Sequence, residues 1–193
     1  MTAAMIPDQR GRPYQVIRAL GRRWPTALGV LSAVVTLGGG DRAAQVTGLG
    51  ETLLFLPLIY LVVARAGRRW LSWPALGVSF ALLIGLRALD VSVTVVAVAL
   101  AAAALAWSAV GHAAHPGTVR LQALGMVGFA ALGLTGLAVD TDLGLYLVAA
   151  GWLFHGVWDF VHLKLDRAVA RSYAEWCGVL DVLTAGWLLL LAW

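Results

Sequence analysis

The chain has 193 residues, of which 61% are hydrophobic and 12% charged, whereas a soluble domain is nearer half apolar and a quarter charged. This composition predicts an integral membrane protein and excludes an ordinary soluble enzyme. The net charge of +4 does not indicate a nucleic-acid surface, because the basic residues sit in short loops between apolar stretches, and the lone Cys177 excludes an intrachain disulfide.

In chain order, residues 1–23 form a polar, basic segment. Tyr14, Val16, Ile17 and Leu20 give it a weak amphipathic pattern suited to a membrane surface. The basic-then-apolar opening is like a signal peptide, but no convincing small-residue cleavage site follows and more apolar stretches come after it, so a retained helix is expected. A span needs about 20 apolar residues. Seven candidates follow: residues 24–40, 46–65, 73–89, 91–110, 119–139, 143–163 and 173–193, together one transmembrane domain over 24–193. Only "RALD" (87–90) divides the stretch 73–110, so six spans is the alternative. The expected fold is an all-α, polytopic transmembrane bundle.

Lys and Arg favour the cytoplasmic side of a membrane. With the N-terminus inside, that side receives Arg10, Arg12, Arg18, Arg22, Arg23, Arg65, Arg68, Arg69, Arg120, Lys164, Arg167 and Arg171, which is all but two of the 14. Arg42 and Arg87 fall outside, with Asp41, Asp90, Asp140 and Asp142. The expectation is N-in and C-out in a bacterial cytoplasmic (inner) membrane. A microbial rhodopsin is excluded, since it has the opposite orientation and needs a lysine in its last helix. Trp24, Trp70, Trp73, Trp107, Trp176 and Trp193 fall near span ends, as an interfacial belt does. Gly125, Gly128, Gly133 and Gly136 are expected to let the fifth span pack closely.

The sixth candidate span carries the unusual chemistry. In "GWLFHGVWDFVHLKL" (151–165), His155, Asp159 and His162 share a stripe, with Trp152 beside it and Asp166 in the loop beyond. The next span holds Cys177 and Asp181, again four apart. A short basic loop joins the two, so an antiparallel hairpin is expected. Its geometry puts His155 level with Asp181, and Asp159 level with Cys177, about 6–12 Å below the cytoplasmic surface. One ionised group at the bilayer centre costs roughly 2.5–3.5 kcal/mol on insertion scales, and intramembrane ionisable residues usually mark function. Imidazole, carboxylate and thiolate are ligands for a divalent metal such as zinc or iron, so His155, Asp159, His162, Asp181 and Cys177 are candidate ligands. The same carboxyls are candidate acids and bases. The structural alternative is a polar network that only ties two helices together.

The hairpin is similar to that of a family of small, uncharacterised bacterial multi-pass membrane proteins, on Gly151, Trp152, Leu153, His155, Trp158, Asp159, His162, Cys177 and Asp181. The family pattern has a second histidine where this chain has Leu163, and a Ser-rich loop where this one is basic. The resemblance covers about the last 40 residues. It implies a shared hairpin and carries no assigned activity.

Glu51 in the second span is a candidate partner of the site from the far side, or else a hydrated interfacial carboxylate. Arg87 and Asp90 are expected to pair at the surface. His112 and His115 are either loop residues or companions of His162 at a metal. No Walker, Gly-x-Ser-x-Gly, His-Glu-x-x-His or CxxC motif is present. The leading expectation is a small intramembrane enzyme acting on an apolar lipid or isoprenoid. Asp159, Asp181, His155 and Glu51 are its candidate catalytic residues, and Trp152, Phe154, Trp158 and Phe160 an aromatic wall for the substrate. The chemistry is metal-assisted hydrolysis or oxidation, or protonation of a double bond or epoxide with aromatic faces stabilising the cation. Small seven-span terpene cyclases share its size, span count and aromatic content. The alternatives are proton or metal-ion transport, and a non-catalytic assembly subunit.

Overall fold

A computed structural model describes residues 21, 23–37 and 39–193. Among them are seven α-helices: α1 (Trp24–Thr36), α2 (Arg42–Ala66), α3 (Ser72–Ala88), α4 (Val93–Ala109), α5 (Pro116–Ala138), α6 (Thr141–Leu165) and α7 (Arg171–Ala192). The expected surface segment over residues 1–20 lies outside the described residues. A turn with Asp90 in the left-handed region (φ 54°) separates α3 from α4, so the stretch 73–110 is two helices rather than one.

Local chemistry sets the helix ends. Asp41 caps α2 by accepting from the Ala44 N–H at 2.8 Å, and Gly67 ends it in the left-handed conformation (φ 66°). Asp140 caps α6 by accepting from the N–H groups of Asp142 and Leu143. Pro116 opens α5 at a position where its missing N–H costs nothing.

The helices run alternately up and down, as contacts at both ends show. At the basic end, Arg69 pairs with Asp166 at 2.9 Å, and Arg65 donates to the carbonyls of Val110 (2.9 Å) and Trp107 (3.2 Å). There also the Ala170 N–H donates to Ser72 Oγ. At the opposite end, Arg42 meets Asp142 at 3.1 Å, and Tyr146 Oη lies 3.5 Å from the Ala192 carbonyl. Arg23, Arg65, Arg68, Arg69, Arg120, Lys164, Arg167 and Arg171 therefore gather at one end of the bundle.

The helix α2 is apolar all round and lies at the centre, as a helix hydrophobic on every face must. Its Leu53 and Tyr60 join one core with α1, α6 and α7, and its Leu54 and Leu61 join another with α4 and α5. Five helical segments are long and apolar enough to cross a membrane: Arg42–Ala66, Arg69–Ala88, Pro116–Ala138, Thr141–Leu165 and Arg171–Ala192. Trp24–Thr36 and Val93–Ala109 are apolar but shorter.

Three finer expectations are corrected. Trp176 is in the core, only 4% exposed, and donates its indole N–H to Ser32 Oγ, while Trp24 and Trp70 remain at the surface. Arg87 bonds to Glu51 at 3.0 Å rather than to its sequence neighbour Asp90, because Glu51 sits deeper and gains more from a partner. Of the α5 glycines, Gly133 and Gly136 do pack against α2 and α6, but Gly128 faces open space.

Candidate functional site

The α6–α7 hairpin closes tightly because each helix puts a glycine where the other must approach. A Cβ at Gly156 would lie 3.2 Å from the Asp181 Cβ, and one at Gly178 would lie 3.2 Å from the Asp159 Cβ. The two glycines therefore bring the acid-bearing turns of the two helices into contact. The helix ends at Leu165 and Arg171 put Asp159 and Cys177 about 9 Å below the basic end, and His155 and Asp181 about 15 Å below it, somewhat deeper than expected.

The expected convergence is present. His155 Nδ1 lies 2.7 Å from Asp181 Oδ2 and 3.3 Å from Asp159 Oδ2. Cys177 Sγ lies 3.9 Å from Asp181 Oδ1. One donor atom from each of His155, Asp159, Cys177 and Asp181 falls within 4.8 Å of the others. All four side chains are at 0% exposure. His155 Nδ1 is hydrogen-bonded to Asp181 Oδ2, and Asp159 Oδ2 has no hydrogen-bond partner among the described residues. His155 Nε2 is also without a partner, as are the buried hydroxyls of Tyr173 and Thr184. Unpaired polar atoms are uncommon in a protein interior, and here several gather around one cluster.

Tyr60, on the central helix, supplies what the hairpin lacks. Its hydroxyl donates to Asp159 Oδ1 at 2.5 Å, and its ring meets those of His155 and His162 edge-on at 5.5 and 5.2 Å. Tyr173 stacks beside it at 6.0 Å. Sequence reading missed both. Tyr173 was within reach of it, because residues 173, 177 and 181 form one stripe of α7. Tyr60 was not, because nothing in "LPLIYLVV" distinguishes one face of α2 from another.

His162 is not a ligand of this cluster. Its Nδ1–H donates to the Trp158 carbonyl at 2.8 Å, and its Nε2 accepts from the Gln122 amide at 2.8 Å. The Trp158 indole N–H in turn donates to Gln122 Oε1 at 3.2 Å. This closed ring of bonds assigns the tautomer and uses both ring nitrogens. His115 lines a cleft with His162 at the basic end, away from the four-residue group.

Glu51 does not join the site either. It is bonded to Arg87 and is 3.4 Å from Thr94 Oγ1, and it lies nine residues along α2 from Tyr60, about 14 Å. The expected aromatic wall also divides. Trp152 is buried and donates to the Leu49 carbonyl at 3.1 Å. Phe154 and Phe160 face outward, 57% and 40% exposed, because their positions fall off the His155–Asp159 stripe. Trp158 is shared between the Gln122–His162 ring and a shallow groove between α5 and α6. Phe129 of α5, which sequence reading did not single out, packs edge-on against His155 at 5.0 Å.

Chemically, the cluster offers one imidazole, two carboxylates and a thiol in a space closed to solvent. It is suited to hold a cation or to pass a proton. No family model matches the chain, and no curated protein or solved structure matches it.

Proposed function

We propose that the chain is a multi-pass protein of a bacterial cytoplasmic membrane, with seven spans, its basic end inside and its C-terminus outside. We propose further that its α6–α7 hairpin binds one divalent transition metal, zinc or iron, and uses it on a lipid-soluble substrate such as an isoprenoid. The observation that carries this reading is the convergence of His155, Asp159, Cys177 and Asp181 at zero exposure. Nitrogen, carboxylate and sulfur together are a donor set for zinc or iron. Two carboxylates balance a divalent charge, which removes the cost of leaving ionised groups in an apolar interior. His155, Asp159 and Asp181 form a three-ligand set that leaves a fourth position open, as catalytic sites do. Cys177, its sulfur 3.9 Å from Asp181 Oδ1, is the further candidate for that fourth position. When bound, the metal supplies Lewis acidity and an activated water.

One observation favours a second reading, acid–base chemistry by the same groups without a metal. Two ligands of one tetrahedral ion stand roughly 3.3 Å apart, given bonds of about 2.0 Å, and the 2.7 Å between His155 and Asp181 is a direct hydrogen bond. On this reading the Asp159–His155–Asp181 set moves a proton, and the rings of Tyr60 and Phe129 stabilise a developing cation.

Metal analysis of detergent-purified protein, prepared without chelator, separates the two. The expected result is about one zinc or iron per chain, lost in both His155→Ala and Asp181→Ala. Metal-free protein that is shown to be folded rules out the metal reading and leaves the proton reading.

A further inference from the structure

The basic end of the bundle holds a cleft of about 380 Å³ between the C-terminus of α2, the N-terminus of α5 and the α6–α7 loop. Arg69, Arg167, His115 and Thr118 supply its polar lining, and Val63 and Ala64 its apolar floor. Arg69 is shared with Asp166. Arg167 makes no ion pair among the described residues. The first turn of α5, beside the cleft, has no acidic residue and no side-chain cap among the described residues, and its Val119 N–H bonds to the His115 carbonyl at 3.1 Å.

The cleft continues sideways. An adjoining cavity shares His115, Thr118 and Arg167 with it and ends at Leu121 and Leu165, both exposed to the outside of the bundle. From Leu121 an apolar groove of about 350 Å³ runs down between α5 and α6 to Leu132. Gly125 and Gly128 leave its floor low, and Phe154 and Trp158 form its wall. The run from Leu121 to Leu132 is about 17 Å. Phe129, whose ring packs against His155, also lines this groove.

We propose that these connected spaces bind one membrane lipid with a phosphate monoester headgroup, the phosphate in the Arg69–Arg167 cleft and one chain along the α5–α6 groove. Charge complementarity selects the headgroup: two guanidinium forks match a dianionic phosphate better than a zwitterionic or neutral head. The apolar continuation selects a lipid over free phosphate. The lipid site does not depend on a metal in the hairpin. Identifying the bound lipid with the substrate does rest on the proposed function, and on Phe129, which lines the groove and packs against His155.

Native mass spectrometry on the detergent-solubilised full chain tests this with dioleoyl phosphatidic acid, dioleoyl phosphatidylcholine and inorganic phosphate. The expected result is one phosphatidic acid per chain, bound at least tenfold more tightly than phosphatidylcholine. Arg167→Gln should remove that preference. Gly128→Leu, on an open face that tolerates a side chain, should weaken phosphatidic acid binding, and neither change should alter metal content. Arg68→Gln, outside the cleft, is the control for diffuse surface charge. Equal binding of the two lipids, equal loss in Arg68→Gln, or competition by inorganic phosphate at the same concentration as the lipid would each overturn the proposal. A metal-free hairpin with the lipid preference intact would count against the metal reading of the hairpin and leave the lipid site standing.

Discussion

Among the described residues, Tyr60 alone reaches from the body of the bundle into the hairpin's polar cluster with a hydrogen bond. Its hydroxyl is the donor to Asp159 Oδ1, and Asp159 Oδ2 has no donor at all. Tyr60→Phe strips the carboxylate of that bond without opening a cavity. Leaving a buried acceptor unsatisfied costs roughly 1–3 kcal/mol, so thermal unfolding in detergent should show a lowered midpoint. If Asp159 is instead held by a metal, adding zinc should restore much of the loss. At this scale the sequence was informative wherever polarity repeated along one helix. His155, Asp159, Cys177 and Asp181 are all legible from four-residue spacing. It failed where a partner came from elsewhere in the chain. Depth alone placed Glu51 opposite the site, but depth says nothing about which way a side chain points around its helix axis, and Arg87 holds Glu51 near the other end.

At the scale of the element, the hairpin is a device for close approach. Gly156 and Gly178 sit within one turn of the clustered acids, each facing the other helix at the level of an acid. Gly178→Val forces its new side chain into Phe160 and Asp159, and overpacking of this kind costs typically 1–3 kcal/mol. The expected outcome is a chain that still folds but whose α6 and α7 stand farther apart, with metal content falling well below that of the parent. Gly186, which meets nothing within 4 Å, is the matched control, and Gly186→Val should leave metal content unchanged. Of the elements, every helix was legible to within a few residues, because an apolar run between polar loops is a local signal. The roles of the two glycines were not, since close approach depends on the register between helices and only the packed structure supplies that.

At the scale of the whole molecule, the grouping of basic residues at one end predicts an orientation that can be checked directly. Cys177 is the lone cysteine and is fully buried, so the native chain should resist a membrane-impermeant maleimide. Single cysteines placed at Asp90 and Asp142 should label in intact cells, and one at Lys164 only after the cells are opened. The reverse pattern would overturn the assigned orientation. Bundle class and helix order were legible from composition and periodicity. The central place of α2 was foreshadowed only by its lack of a polar face, and the neighbours of each helix were not legible, because one lipid-facing apolar surface resembles another. That central place has a consequence for how the protein is made. Along the chain, Tyr60 and the rest of α2 are synthesised long before α6 and α7. The two acid-bearing helices thus follow in the chain the helix that carries the Tyr60 donor to Asp159.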